Sequence, residues 1–238
     1  MSKKLSMAVT SSEQVTAVVY AARGEARSTY ILAHGAGGNQ TSPWIVQFAT
    51  AAAARGIGVV TFNFPYSEQG RRLPDRNDKL EACWRKVVEA WHDGAFAKSL
   101  GKSGGPLIIG GKSMGGRIAS QIAAGDPGAS PGMAEVSGLV FLGYPLHPPG
   151  KPEQLRSRHL PAIRVPMLFI QGARDVFGTP EELRPILSKL EAPADLIVVE
   201  DGDHSFKVPT AAGRSQVQVF DFVLRDIGAW IRNQPLRQ

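Results

Sequence analysis

The sequence predicts an α/β fold, with a mostly parallel central sheet and helices on both faces. Short apolar runs bounded by glycine and proline alternate with segments whose apolar residues recur at helical spacing. The apolar runs are continuous rather than alternating, which is typical of strands that are buried on both faces. The length of 238 residues suits one such domain, and we expect residues 1–238 to form it.

Seven apolar runs are predicted to be strands. They lie at 14–20 (QVTAVVY), 29–35 (TYILAHG), 56–64 (GIGVVTFNF), 104–111 (GGPLIIGG), 136–145 (VSGLVFLGYP), 165–172 (VPMLFIQG) and 194–201 (ADLIVVED). In open parallel sheets, ligands bind beyond the carboxyl ends of the strands. We therefore expect the chemistry of this protein in the loops that follow these runs.

Helices are predicted between the strands. Thr179, Pro180 and Glu182 predict a capping box at the start of one of them. In the helix predicted over 43–55, the apolar face consists of Trp44, Ile45, Phe48, Ala51 and Ala52. In the next helix it consists of Leu80, Trp84, Val87, Val88 and Trp91. In the last helix it consists of Phe220, Val223, Leu224, Ile227, Trp230 and Ile231. A further helix is predicted after Ser113, ending at Gly125.

Composition argues against several classes of protein. The net charge of +6 comes from scattered basic residues, and the densest groups, GRRLPDR and RSRH, are short and interrupted, so no nucleic-acid partner is predicted. No run approaches the roughly 20 apolar residues of a membrane span, and the N-terminus lacks the apolar core of a secretory signal. The single Cys83 excludes an internal disulfide. We expect a cytoplasmic protein without a membrane partner.

The stretch LIIGGKSMGG, residues 107–116, fits two different motifs. Its Gly-Lys-Ser resembles the end of a phosphate-binding loop, and its GKSMG fits G-x-S-x-G, the turn that presents a nucleophilic serine. A phosphate-binding loop needs a glycine where the sequence has Pro106, and its loop would fall inside an apolar strand. The other Gly-Lys-Ser, at 101–103, needs a glycine where the sequence has Phe96. Neither stretch therefore predicts nucleotide binding.

The second motif predicts that Ser113 is a nucleophile. A serine between a strand and a helix must lie on a sharp, strained turn that projects its Oγ above the sheet. Residues two before and two after crowd this turn, and Gly111 and Gly115 are small enough for it. Gly116 would let the helix pack closely on the strand. The helix N-terminus beside Ser113 also favours negative charge that develops there.

Ser113 needs a base and a carboxylate that orients the base. His204, in EDGDHSF after the last predicted strand, falls at the same sheet edge as Ser113, whereas His147 and His159 precede any plausible acid. Asp175, in FIQGARD, follows the penultimate strand and is preferred to the acids of the His204 loop itself. The order Ser113, Asp175, His204 is that of α/β hydrolases.

The remaining requirement is a pair of backbone N–H groups that stabilise an oxyanion. Met114, directly after the serine, is predicted to supply one of them. The HGAGG turn at 34–38 follows an earlier strand, and Ala36 is predicted to supply the second. A plain glycine turn is the alternative interpretation of HGAGG.

With these residues located, the chain resembles the α/β-hydrolase superfamily over nearly its full length. The motifs HGAGG, FNFPY, GGKSMGG, GYPLHPPG, QGARD and GDHSF, in this order, are similar to small bacterial members related to the hydrolase-like subunit of a eukaryotic histone acetyltransferase complex and to testis-expressed proteins. The chain is more distantly similar to dienelactone hydrolases, whose nucleophile is cysteine. The resemblance implies a Ser113–Asp175–His204 triad without a metal or organic cofactor. The stretch from Pro145 to Pro166 is too short for a helical cap domain, so no large cap is expected.

These observations predict a serine hydrolase that cleaves a small or medium ester or thioester. Esterases, thioesterases, lactonases and peptidases share the triad, and the alternative of another class is a non-catalytic interaction module with the same fold. The predicted pocket walls are 62–69 and 143–150, with Phe64, Tyr66, Tyr144 and His147 as candidate substrate-binding residues. Packing of proline-rich loops is the other interpretation of these four. Arg71 and Arg72 could favour an anionic substrate, and exposed arginines that face only solvent are the alternative interpretation.

Overall fold

The structure, a computed structural model, describes residues 2–10, 13–24, 26–101, 105–126, 128 and 130–234. Its strands are β1 (Ser2–Ala8), β2 (Gln14–Tyr20), β3 (Ser28–Ala33), β4 (Ile57–Phe62), β5 (Leu107–Lys112), β6 (Val136–Leu142), β7 (Met167–Gly172) and β8 (Ala194–Val199). Its α-helices are α1 (Pro43–Ala53), α2 (Pro65–Glu68), α3 (Asn77–His92), α4 (Ala97–Leu100), α5 (Met114–Ala123), α6 (Pro180–Leu187) and α7 (Gln216–Asn233). Short 3₁₀ turns lie at Met133–Glu135, Leu160–Ala162 and Thr210–Ala212.

The strands form one sheet in the order β1-β2-β4-β3-β5-β6-β7-β8. β2 pairs antiparallel with both of its neighbours, and all other pairs are parallel. The prediction of a mostly parallel sheet is therefore confirmed. The carboxyl ends of β3 to β8 meet at one edge, which brings the loops after β3, β5, β7 and β8 together.

Helices cover both faces of this sheet, as predicted. α1 and α7 pack on one face around Phe48 and Phe220, and α3, α5 and α6 pack on the other around Trp84. Cys83 is buried on the inner side of α3, and burial raises the pKa of its thiol well above the ordinary value. The capping box predicted at the start of α6 is present.

The differences from the predicted elements lie mostly at strand ends and in short elements. β1 was not predicted, because a half-polar strand at the edge of a sheet gives little apolar signal. The predicted runs 56–64 and 136–145 end as strands at Phe62 and Leu142, and the residues after them form the loops of the site edge. Lys102 and Ser103 of the second Gly-Lys-Ser, and Gly104 of the run 104–111, lie outside the described residues.

Candidate active site

Ser113 lies on a sharp turn between β5 and α5. Its backbone has φ 50° and ψ −121°, in a region that residues other than glycine rarely adopt. A Cβ on Gly111 would lie 2.4 Å from the carbonyl oxygen of Ala33, and a Cβ on Gly115 would lie 2.6 Å from that of His34. Both positions therefore require glycine, and the crowding predicted from G-x-S-x-G has a direct cause in the backbone of β3 and the loop after it.

His204 and Asp175 come together at the carboxyl edge of the sheet. The Nδ1 atom of His204 lies 2.7 Å from Oδ2 of Asp175. The carboxylate is buried and also accepts hydrogen bonds from Gln171 Nε2 (2.9 Å) and the backbone N–H of Phe177 (2.9 Å). With Nδ1–H directed at a carboxylate, Nε2 is the nitrogen left to accept a proton. His204 and Ser113 both line the same cleft.

Two side chains fix the backbone of the His204 loop. Nζ of Lys112 donates to the carbonyl oxygen of His204 (2.5 Å), and Nε1 of Trp44 donates to that of Ser205 (2.9 Å). The ammonium group also lies 5.6 Å from the centroid of the Trp44 ring, a cation–π arrangement. Burial lowers the pKa of Lys112 to about 8, although the carboxylates of Asp175 and Asp203 oppose the shift. The sequence analysis considered Lys112 only within the phosphate-binding motif that it rejected, and missed this role.

Replacing Lys112 with methionine is expected to lower kcat about tenfold with little change in KM. Methionine fills a similar space but leaves the carbonyl of His204 without its donor, so the imidazole is held less well. Steady-state kinetics on an ester substrate measure this split. Lys79→Met, which removes a lysine paired with Glu13 (2.6 Å) outside the cleft, is the matched control. An equal loss of kcat in the control would contradict the positioning role.

The turn after β3 presents the predicted oxyanion donors. The backbone N–H groups of Ala36 and Met114 donate to no other group within the described part of the chain, and both residues line the cleft with Ser113. A developing oxyanion requires backbone N–H donors that are not already bonded to another group. The assignment of Ala36 and Met114 as that pair stays a prediction.

His34, the first residue of this turn, stabilises it through contacts of its two ring nitrogens. Its Nδ1 lies 2.8 Å from the carbonyl oxygen of Gly35, and its Nε2 accepts a hydrogen bond from the N–H of Phe64 (3.3 Å). This pair of contacts requires the neutral tautomer with the proton on Nδ1. Burial lowers the pKa of His34 to about 4, which agrees with that tautomer. The sequence analysis treated His34 only as the first residue of HGAGG and missed this role.

The cleft has a volume of about 730 Å³ and opens above Ser113. Its walls are formed by Trp44 and Ile45 of α1, by Arg117, by the loop residues Pro145, Arg156 and Phe177, and by Pro74, Asp75, Asn77 and Leu80. Of the predicted walls 62–69 and 143–150, Pro145 alone is among the lining residues. A larger contribution comes from the residues before and at the start of α3; of these, the sequence analysis placed only Leu80, on the apolar face of a helix.

The four predicted substrate-binding residues do not line the cleft. Phe64, Tyr66 and Tyr144 are buried in the core, where Phe64 packs edge-on against His34 (5.2 Å between ring centroids). The hydroxyl of Tyr144 donates to the carbonyl oxygen of Arg156 (2.9 Å). His147 is also buried, with Nε2 3.2 Å from Oε1 of Glu182. The prediction is corrected because these aromatic side chains turn inward as soon as their strands end.

Arg71 and Arg72 also lie away from the cleft lining. Arg71 forms an ion pair with Asp75 (2.6 Å), and the side chain of Arg72 is exposed. Within the described ranges, no group of three or more His, Cys, Asp or Glu residues is arranged to hold a metal ion. None of the helices in these ranges is both long enough and apolar enough to cross a bilayer.

Comparison with known proteins agrees with this architecture. A family model described as an alpha/beta hydrolase domain matches residues 26–232. The chain belongs to this family, and its fold is that of a hydrolase.

Solved structures from bacteria share the fold at low sequence identity. Dienelactone hydrolase from Anabaena variabilis is 19% identical, with a TM-score of 0.71 over 100% of this chain and 99% of that one. An α/β serine hydrolase without a lid from Xanthomonas campestris is 20% identical, with a TM-score of 0.69 over 98% and 97% of the two chains. An α/β serine hydrolase homologue from Coxiella burnetii is 17% identical, with a TM-score of 0.70 over 94% and 97%.

Proposed function

We propose that the protein is a serine hydrolase that cleaves small or medium carboxylic esters or thioesters through an acyl-enzyme on Ser113. The observation that carries this proposal is the hydrogen bond between His204 Nδ1 and the buried carboxylate of Asp175, with His204 and the elbow serine on one cleft. Similarity to proteins described as esterases and serine hydrolases supports the same class of reaction.

In the proposed mechanism, His204 Nε2 takes the proton of the Ser113 hydroxyl as Oγ attacks the carbonyl carbon of the substrate. The N–H groups of Ala36 and Met114 donate to the oxyanion of the tetrahedral intermediate. Asp175 keeps the imidazole in the correct tautomer and stabilises the imidazolium ion. When the intermediate collapses, His204 donates its proton to the leaving alcohol or thiol, and Ser113 holds the acyl group.

Deacylation reverses these roles. His204 takes a proton from a water molecule, which attacks the acyl-enzyme, and the resulting intermediate releases the carboxylic acid as Ser113 recovers its proton. The open cleft suits a partly exposed ester or thioester. A cytoplasmic location is part of the proposal, because the one cysteine is a buried thiol.

The proposal predicts that Ser113→Ala lowers kcat on short-chain 4-nitrophenyl esters and acyl thioesters roughly 10⁴- to 10⁶-fold, because the acyl-enzyme no longer forms. Ser42→Ala is the matched control, since Ser42 lines the same cleft at the start of α1, where its Oγ accepts a hydrogen bond from the N–H of Asn39 (3.1 Å). Its turnover should remain within a few-fold of the unmodified protein. Undiminished turnover by folded Ser113→Ala would exclude the mechanism.

A non-catalytic interaction module is the alternative with the same fold. Such a module would not need the buried carboxylate of Asp175 to accept hydrogen bonds from His204, Gln171 and the Phe177 N–H at the same sheet edge as a strained serine. For this alternative, Ser113→Ala and the unmodified protein would show the same background hydrolysis.

A further inference from the structure

Two guanidinium groups lie on the cleft wall next to Ser113. Arg117 is one turn along α5 from Ser113, a rise of about 6 Å, and its backbone N–H donates to the Ser113 carbonyl oxygen (3.1 Å). Side chains on a helix lean towards its N-terminus, so Arg117 leans towards the elbow. Arg156 belongs to the loop between β6 and β7. Both residues line the cleft that contains Ser113 and His204.

Within the described residues, neither guanidinium group forms an ion pair, although the charge of Glu81 acts on Arg117. Arg117 donates from Nη1 to two neutral side-chain oxygens, Oε1 of Gln121 (3.2 Å) and Oδ1 of Asn77 (3.4 Å), and its buried Nε has no hydrogen-bond partner among these residues. The side chain of Arg156 forms no hydrogen bond or ion pair with any residue that the structure describes. By contrast, the nearby Arg85 is paired with Glu81 (3.2 Å).

Three polar side chains near the two arginines, those of Ser120, His159 and Tyr144, are neutral. Ser120 Oγ and His159 Nε2 are 2.7 Å apart, and the Tyr144 hydroxyl donates to the Arg156 carbonyl oxygen. Burial, and then the charge of Arg117, lower the pKa of His159 to about 4, so it is uncharged at neutral pH. Burial also lowers the pKa of Arg117, and the charge of Arg156 lowers it further, whereas Tyr144 and Glu81 oppose the shift.

The balance of charge along the cleft is therefore positive. Asp75 is the acidic residue among the lining residues, and it is paired with Arg71. Two like charges held together on a partly desolvated wall repel each other, and an anion between them would remove that cost. The planar guanidinium fork matches the oxygen pairs of carboxylate and phosphate groups.

We propose that Arg117 and Arg156 form an anion-binding subsite, and that the substrate carries a carboxylate or phosphate group within reach of it. This inference rests on the proposed function, because it names the class of ester or thioester that the site takes. Bound in this way, the anion places the scissile carbonyl over Ser113. The unpaired Nε of Arg117 gains a partner on binding, and the charge repulsion between the two arginines is relieved.

The test compares an anionic ester with a neutral ester of similar shape. The substrates are the 4-nitrophenyl monoester of glutaric acid and 4-nitrophenyl pentanoate, with a phosphate-bearing ester and an ester whose carboxylate lies on the leaving alcohol as further arms. For the unmodified protein, kcat/KM for at least one anionic ester should exceed that for the neutral one by about tenfold or more. The anionic ester with the largest kcat/KM relative to the neutral ester shows whether the subsite prefers carboxylate or phosphate. It also shows whether the anion lies on the acyl group or on the leaving alcohol.

Arg117→Gln and Arg156→Gln should each reduce this ratio about tenfold, and raised ionic strength should reduce it in the unmodified protein. Arg164→Gln is the matched control, because Arg164 is exposed, pairs with Glu191 and lies outside the cleft. Its ratio should not change. Arg156→Gln removes a half-exposed side chain that forms no hydrogen bond or ion pair with described residues, so it provides a second test if Arg117→Gln does not fold.

Two failures remain distinguishable. If the neutral ester is cleaved but no anionic ester is preferred, or if the ratio survives in both arginine variants, the subsite is overturned and the hydrolase proposal stands. If no ester is cleaved, the hydrolase proposal fails, and calorimetric titration with glutarate and inorganic phosphate tests the subsite alone. Binding that is absent, or equal in Arg156→Gln and the unmodified protein, then overturns it.

Discussion

Replacing Asp175 with asparagine is expected to lower kcat roughly 10⁴-fold, as the same substitution does in a serine protease. Oδ2 of Asp175 accepts from both His204 and Gln171, and Oδ1 accepts from the Phe177 N–H. An amide NH₂ at this position would face a donor whichever way it turned. With the NH₂ in the place of Oδ2, the imidazole would be driven to the tautomer with its proton on Nε2, where it could not act as a base towards Ser113.

The matched control is Asp203→Asn. Asp203 lies on the His204 loop, and its Oδ1 accepts hydrogen bonds from the N–H groups of Ser205 (2.7 Å) and Lys207 (2.9 Å). Its loss should cost about 1 kcal/mol of stability and far less activity than the loss of Asp175. Steady-state kinetics measure kcat for the two variants, and circular dichroism checks that both are folded. Equal losses of kcat in the two variants would contradict the assignment of Asp175.

The second large effect is a loss of stability in acid that depends on His34. Burial holds the pKa of His34 at about 4 in the folded protein, against 6.5 for an ordinary histidine. Between these values the unfolded chain binds a proton that the folded protein does not, so the free energy of unfolding falls as the pH falls. From pH 7 to pH 4 this group should account for about 3 kcal/mol. His159, whose pKa burial also lowers to about 4, acts in the same direction.

Denaturant unfolding at a series of pH values measures this dependence. His34→Asn should be less stable than the unmodified protein at pH 7 but should lose less stability on going to pH 4. His92→Asn is the matched control, because His92 is half-exposed and paired with Glu135 on the surface. If His34→Asn and the unmodified protein lost the same free energy between pH 7 and pH 4, His34 would not be the buried neutral histidine described above.

Much of the fold could be predicted because apolar runs and glycine turns follow directly from burial and backbone geometry. The parallel strands and the helices on both faces are examples, and so is the turn at Ser113 between Gly111 and Gly115. The approach of Asp175 to His204 also follows from chain order, since the carboxyl ends of parallel strands share one edge of the sheet.

The cleft lining was not predictable in the same way. It depends on which way each side chain turns after its strand or helix, and periodicity does not encode that direction for loop residues. Phe64 and Tyr144 turn into the core, whereas Arg117, on a helix otherwise noted for its glycines, turns towards the cleft. The role of His34 depends on the depth of its burial and on the N–H of Phe64, which follows a different strand.

The central claim is that Ser113 is activated by His204, and covalent labelling with a fluorophosphonate tests it most directly. The purified protein is treated with the probe, and the adduct is located by peptide mass spectrometry, with Ser113→Ala and His204→Ala in parallel. We expect one adduct on Ser113 that is absent in Ser113→Ala and formed far more slowly in His204→Ala. No adduct on the folded protein near neutral pH, or an equal rate in His204→Ala, would contradict the proposed mechanism.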